Sequence, residues 1–167
     1  MSIRESTVEV RRVTVTSDRP FDDVVADVYA GLGRVPNFGE FVRQLGETHS
    51  REEFDAVVEP VTGSSGLIEF LTLDLGGVLA TRDPARSRRM LRIIAGNPVT
   101  MSRMTATVPD AGSYAPVTVL ITERSDGVTL SYDRVASAIA PYEGAEASAV
   151  AEGLDDAVVT LLRTAAG

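Results

Sequence analysis

The sequence predicts an α+β fold in which one mainly antiparallel sheet carries its helices on one face, with a helical insertion after the first helix. Three observations predict it. Runs suited to strands recur at Val8–Val15, Leu67–Leu75, Met90–Ala95, Val117–Glu123 and Val128–Tyr132, the last two joined by Arg124-Ser125-Asp126-Gly127. Asp-Gly between two β-rich runs is a hairpin signal. Two segments, one from Phe21 and one from about Gly144, repeat apolar residues at helical spacing. The resulting order, strand, helix, several strands, helix, is that of one α+β unit. A chain of 167 residues is expected to fold as a single domain over 1–167, with the insertion at about 34–65.

Each element has its own local reason. Val8, Val10, Val13 and Val15 make the first strand, and their alternation slips at Arg11-Arg12, which predicts a bulge or a change of face. Pro20 suits a helix start, and Phe21, Val24, Val25, Val28, Tyr29 and Leu32 then form the clearest amphipathic stripe, ended with the help of Gly31 and Gly33. Phe38, Phe41, Val42 and Leu45 mark a shorter helix that Gly46 can stop. Ser50 and Glu53 are spaced as a capping box for a third helix, carrying Phe54, Val57, Val58 and Val61, which Thr62-Gly63-Ser64-Ser65-Gly66 breaks.

Leu67–Leu75 is apolar enough for a buried strand and is followed by Gly76-Gly77. After Met90–Ala95, Asn97 can cap and Pro98 can open a short helix bearing Met101 and Met104. Val150, Leu154, Ala157, Val158, Leu161 and Ala165 line one side of the closing helix.

Composition removes most reaction classes. The chain has no Cys, no Lys, no Trp and one His, so all 16 basic residues are Arg. That excludes a thiol nucleophile, a Cys/His zinc site, a Schiff-base lysine and a P-loop lysine. His49 lies in the polar link Glu47-Thr48-His49-Ser50, where a solvated loop side chain is expected rather than a triad base. The adjacent carboxylates Asp22-Asp23, Glu52-Glu53 and Asp155-Asp156 point about 100° apart on a helix and do not converge on one ion. No cofactor and no metal are expected. Gly31-Leu32-Gly33 follows a helix, not a strand, and so is no dinucleotide fingerprint. A net charge of −8 repels nucleic-acid phosphates and anionic lipid. With no apolar leader or membrane-length run, a cytoplasmic protein with neither a nucleic-acid nor a membrane partner is expected.

Three constellations could carry chemistry. Arg82, Arg86, Arg88, Arg89 and Arg92 precede the turn Gly96-Asn97-Pro98, and arginine forks there could hold an acidic ligand. The plainer reading is a solvated loop that pairs with surface carboxylates. Tyr114, Glu123, Tyr132 and Asp133 could meet around the hairpin, but alternation along a strand turns Tyr132 and Asp133 to opposite faces. Mutual satisfaction at the sheet rim is the plainer reading there. Phe38, Phe41, Phe54, Phe70, Met90, Met101 and Met104 would line a mouth for an apolar molecule if the inserted helices sit loosely over the sheet, and would be ordinary core if they sit tightly.

The ordered set Gly96-Asn97-Pro98, Met104, Tyr114, Pro116, Asp126-Gly127, Tyr132-Asp133 and Leu154-Asp155 resembles the bacterial and archaeal family known only as domain of unknown function 302. The resemblance implies helices on one face of an antiparallel sheet, similar to the TATA-binding-protein-like α+β class, and implies no activity; likeness to a DNA binder's fold does not carry DNA binding. It also implies a briefer connection in place of residues 34–65, and a histidine and glycine near the position held here by Leu75-Gly76.

The function expected from these readings is a non-catalytic, small-molecule-binding domain whose ligand is an apolar or amphipathic acid. Its ligand-binding residues would be Phe70, Arg89, Arg92, Asn97, Met101, Met104, Tyr114, Tyr132 and Asp133. The alternative is a cofactor-independent enzyme of small-molecule metabolism using tyrosine and aspartate acid-base chemistry. A homodimer is the expected assembly.

Overall fold

The computed structural model describes residues 1–167 and shows six strands in one mixed sheet with seven helices. The first strand, β1 (Arg12–Ser17), points Val13, Val15 and Ser17 toward the core and leaves Arg12, Thr14 and Thr16 exposed. This corrects the expected start at Val8. The side-chain period of a strand is two, so Val8 and Val10 are out of phase with Val13 and Val15, and a continuous strand would turn one pair to solvent. The chain keeps the second pair; Val10 is 45 % exposed.

Helix α1 (Phe21–Gly31) follows Pro20 and buries Phe21, Val24 and Val28. Strand β2 (Gly33–Arg34), which the pattern did not announce, pairs in parallel with Ile68 and Glu69. Only glycine fits at 33, because a Cβ would lie 1.9 Å from the Val61 carbonyl oxygen. Asn37 caps α2 (Phe38–Gly46) through the Glu40 amide, and Ser50 caps α3 (Arg51–Val58) through the Glu53 amide. The Glu53 carboxylate reaches back to the His49 amide at 2.7 Å, so the segment around the single histidine serves the cap.

Strand β3 (Ile68–Asp74) shifts register between Glu69 and Leu71, leaving Phe70 as the irregular residue. Gly76-Gly77 does not simply follow a strand. It lies in the first turn of α4 (Leu75–Arg82), whose N-cap Asp74 accepts from the Gly77 amide at 2.8 Å. Gly76 lets this helix approach backbone to backbone, since a Cβ there would come within 2.5 Å of the Arg88 carbonyl oxygen.

Strand β4 (Met90–Gly96) leads through Asn97 into α5 (Pro98–Thr107). Strands β5 (Val117–Arg124) and β6 (Gly127–Asp133) form the hairpin, with Arg124 opposite Gly127 and two residues, Ser125 and Asp126, at its tip. Gly127 takes φ +129°, which explains glycine there. A short α6 (Val135–Ile139), also unannounced, precedes α7 (Ala145–Ala166).

The sheet order is β1-β6-β5-β4-β3-β2, with four antiparallel ladders and the two-residue parallel pairing at the β2 edge. On one face, Ile93, Val119, Ile121, Leu130 and Tyr132 join α1 and α7 in the main core. The helices that begin at Phe21 and Ala145 therefore share a face. The inserted helices behave differently. Phe41 and Val58 enclose Ile68 in a second, smaller core with Leu45, Phe54, Val57 and Phe70 packed around it. Ile68 is paired with Gly96, one position from Ala95, so this cluster covers the end of the opposite sheet face. The rest of that face, including Leu71 at 49 % exposure and Arg92, stays open.

Candidate functional site

The family-like residues Tyr132 and Asp155 meet in the interior. Asp155 lies on the buried stripe of α7 with Ala151, Val158 and Leu162 and is fully buried. Its carboxylate accepts from the Tyr132 hydroxyl at 2.6 Å, the Val135 amide at 2.8 Å and the Ala136 amide at 3.1 Å. Three donors on one carboxylate fasten α7 to β6 and to the start of α6. Burial, and then the hydrogen bond to Asp155, push the Tyr132 phenol far above its ordinary pKa. The proton of this hydroxyl, expected at a ligand site, is held by Asp155.

Asp133 turns the other way. Arg12 grips it with two hydrogen bonds, at 2.6 and 2.8 Å, and holds its carboxyl below the usual carboxylate range. Tyr132 and Asp133 thus form no acid-base pair, as strand alternation required. Glu123 lines a hollow beside α4 that Tyr114 does not border.

The nine expected ligand residues divide among three cavities. Arg89 faces a hollow of about 430 Å³ beside α1 and α4, where it pairs with Asp22 and stacks over the Phe21 ring at 4.4 Å. That pairing with a surface carboxylate is the plainer of the two readings given above for the arginine cluster. Arg92, Tyr114, Tyr132 and Asp133 border a hollow of about 560 Å³ on the open sheet face. Phe70, Asn97, Met101 and Met104 border a cavity of about 320 Å³. Asn97 lies there as a cap, its Oδ1 accepting from the Val99 and Thr100 amides while its Nδ2 donates to the Gly66 carbonyl at 2.9 Å. The last two hollows share Pro116 and Val117 as a common wall.

The 320 Å³ cavity is lined mainly by apolar side chains. Helix α2 supplies Phe38, Phe41, Val42 and Leu45, the β3 bulge supplies Phe70, and α5 supplies Met101 and Met104. Phe38 packs on Phe70 with ring centres 5.1 Å apart and planes tilted by 41°, yet Phe38 is 43 % and Val42 50 % exposed, so the rim is apolar. Phe54, grouped with these rings on sequence, packs instead behind them in the insertion's own core, and Met90 belongs to the hollow beside Arg89. Pro116, noted in the sequence for family likeness, and Leu154, noted for that and for its place on the apolar stripe of the closing helix, prove to be wall residues. Asp155 escaped notice as a hub, although a carboxylate on an otherwise apolar helical stripe was a legible signal of a buried partner.

No group of three or more His, Asp or Glu side chains converges in the geometry of a metal site. No helix is long and apolar enough to cross a membrane.

Residues 46–162, which contain the Asn97 cap, the hairpin and the Tyr132–Asp155 link, match the family model described as domain of unknown function DUF302. The chain belongs to that family. A solved structure described as an uncharacterized conserved DUF302 protein from Bacillus stearothermophilus superposes with a TM-score of 0.64. The likeness covers 92 % of this chain and 97 % of that one at 10 % sequence identity, which is likeness of fold. No curated protein matches this DUF302 chain.

Proposed function

We propose that this DUF302 protein is a non-catalytic domain that binds a small apolar or amphipathic acid in the cavity between α2, the β3 bulge and α5. The observation that carries the reading is the apolar rim, with Phe38 and Val42 left half exposed over a cavity of about 320 Å³. Exposed aromatic surface contiguous with a cavity favours a bound apolar group, because burying it removes that surface from water. The second core of the insertion, built on Phe41, Val58 and Ile68, supports α2 independently of any occupant. On architecture, the shared face of α1 and α7 and the four antiparallel ladders support reading the domain as TATA-binding-protein-like. We extend the proposal to a cytoplasmic homodimer that binds neither nucleic acid nor membrane, on the strength of the net charge of −8 and the open sheet face.

A thermal-shift series of amphipathic carboxylic acids tests the binding reading. A ligand confined to the native state stabilises it by RT ln(1 + [L]/Kd), about 2.7 kcal/mol at a hundredfold excess over Kd. Stabilisation should rise with concentration and weaken in Phe38→Ser, which removes an apolar rim side chain. If no acid in the series moves the midpoint at millimolar concentration, the domain does not bind this class and the cavity is only imperfect packing.

A further inference from the structure

We infer that two copies of this chain join edge to edge through β1, each β1 antiparallel to the other, into one continuous sheet across a two-fold axis. The inference rests on the homodimer proposed above and gives it an interface, the strand edge rather than the sheet face. The two edges of the sheet are built differently. At one, β2 has two residues and the Val61–Gly63 backbone is packed onto it. At the other, β1 runs for six residues in unbroken register with β6 and has no strand on its far side. Its sequence, Arg-Val-Thr-Val-Thr-Ser, lacks the devices that guard an edge: it has no proline, no lysine and no bulge, and its one charge is bound to Asp133. With one edge adhesive and the other closed, β1 meets only another β1, which gives a closed pair and no filament.

The ladder to β6 fixes which groups point outward. The Arg134 amide donates to the Arg11 carbonyl at 2.9 Å, so Arg11 and every second residue after it, Val13, Val15 and Ser17, exchange bonds with β6. The amides and carbonyls of Arg12, Thr14 and Thr16 therefore point away from the sheet, and these three residues are exposed. No turn or loop backbone bond ends on them. An antiparallel copy must pair these outward residues with one another. Centring the two-fold on Val15 sets Thr14 opposite Thr16, Val13 opposite Ser17, and Arg12 opposite the second copy's exposed Asp18. Arg12 meets Asp133 through Nε and Nη2, which leaves Nη1 for that second carboxylate. Centring on Thr14 instead sets Arg12 against Thr16 and Asp18 against Val10, so charge complementarity selects the Val15 register. In it Val13 and Val15, which pack on the main core yet are only half-buried, gain cover from the second copy.

Sedimentation velocity of the full chain over a concentration series tests this, with circular dichroism as the control for folding. The parent should be a dimer. Thr14→Pro removes an amide that points outward and bonds nothing within the subunit, so the fold should hold while the dissociation constant rises at least about tenfold, from the two symmetry-related hydrogen bonds lost. Asp18→Arg, an exposed reversal, should also weaken the dimer, since it sets like charges opposite each other twice. The chain has no cysteine, so Val15→Cys supplies a single thiol. At the two-fold the paired Cα atoms lie about 4.5 Å apart, within disulfide reach, and mild oxidation should link the dimer covalently. Thr14→Cys, out of register with its own copy, should not be linked. A parent that stays monomeric throughout the series would remove the homodimer reading and this inference with it. A dimer that persists in folded Thr14→Pro, or one that Val15→Cys does not crosslink, would keep the homodimer and overturn this interface. If Thr14→Pro fails to fold, the crosslink decides by itself.

Discussion

Replacing Asp155 by alanine strands the donors that now converge on it. Two of them, the Tyr132 hydroxyl and the Val135 amide, make buried bonds at 2.6 and 2.8 Å; the third, from the Ala136 amide at 3.1 Å, is partly buried, so water can take it over. A buried donor left without a partner costs about 1–3 kcal/mol, so the two buried ones together predict a loss of about 2–6 kcal/mol. Set against a typical domain stability of about 5–15 kcal/mol, that is a large fraction. Tyr132→Phe alone removes one donor and leaves the carboxylate two amides, predicting a loss of about 1 kcal/mol. In the double variant no phenol is stranded, so the combined cost should fall short of the sum by about 1–3 kcal/mol. Urea unfolding of the four proteins followed by circular dichroism gives these values if the slopes stay equal. An Asp155→Ala cost below about 1 kcal/mol, or strict additivity, would refute the hub, because the Tyr132 hydroxyl would then have found another partner.

Tyr132 also predicts an alkaline limit. Its folded pKa is raised, so the stability it contributes is complete below the unfolded value near 10 and is lost as pH climbs from there toward the folded pKa, by up to about 1.4 kcal/mol per pH unit. Urea midpoints between pH 8 and 11 should show this fall, and Tyr132→Phe should show a shallower one; identical slopes would sink the assignment. Gly33→Ala drives a Cβ into the Val61 carbonyl and the Gly63 amide, so it should disrupt the β2 edge and lower the melting temperature by several degrees. A melting curve superimposable on the parent's would show that the insertion yields freely. Arg89→Ala loses only an exposed pairing with Asp22 and its stacking on Phe21, and should leave binding of an amphipathic acid in the apolar cavity intact by thermal shift. Loss of acid binding in Arg89→Ala would return the anion site to the arginine cluster.

Much of this domain was decided by the sequence itself. The five long strands, α1, the capped α2 and α3, the Asp126-Gly127 hairpin and α7 arise from periodicity and cap chemistry that act within a few residues. The family, too, was legible, because its ordered motifs lie along the chain. What only the tertiary structure decided involves residues far apart in sequence or elements too short to have a period. β2 has two residues and exists because Gly33 and Gly63 allow two backbones to touch. The arginines Arg89 and Arg92 look alike in sequence, yet they fall on opposite faces of the sheet region, one answered by Asp22 sixty-seven residues away and the other by no carboxylate. Phe38, Phe70 and Met101 become neighbours only when the insertion folds over the strand end, and Tyr132 is withdrawn from them by a partner on α7. Local propensity sets where the chain turns and which face is apolar; which charges stay unpaired and which apolar walls stay open depends on the packing of distant segments, where no local rule reaches.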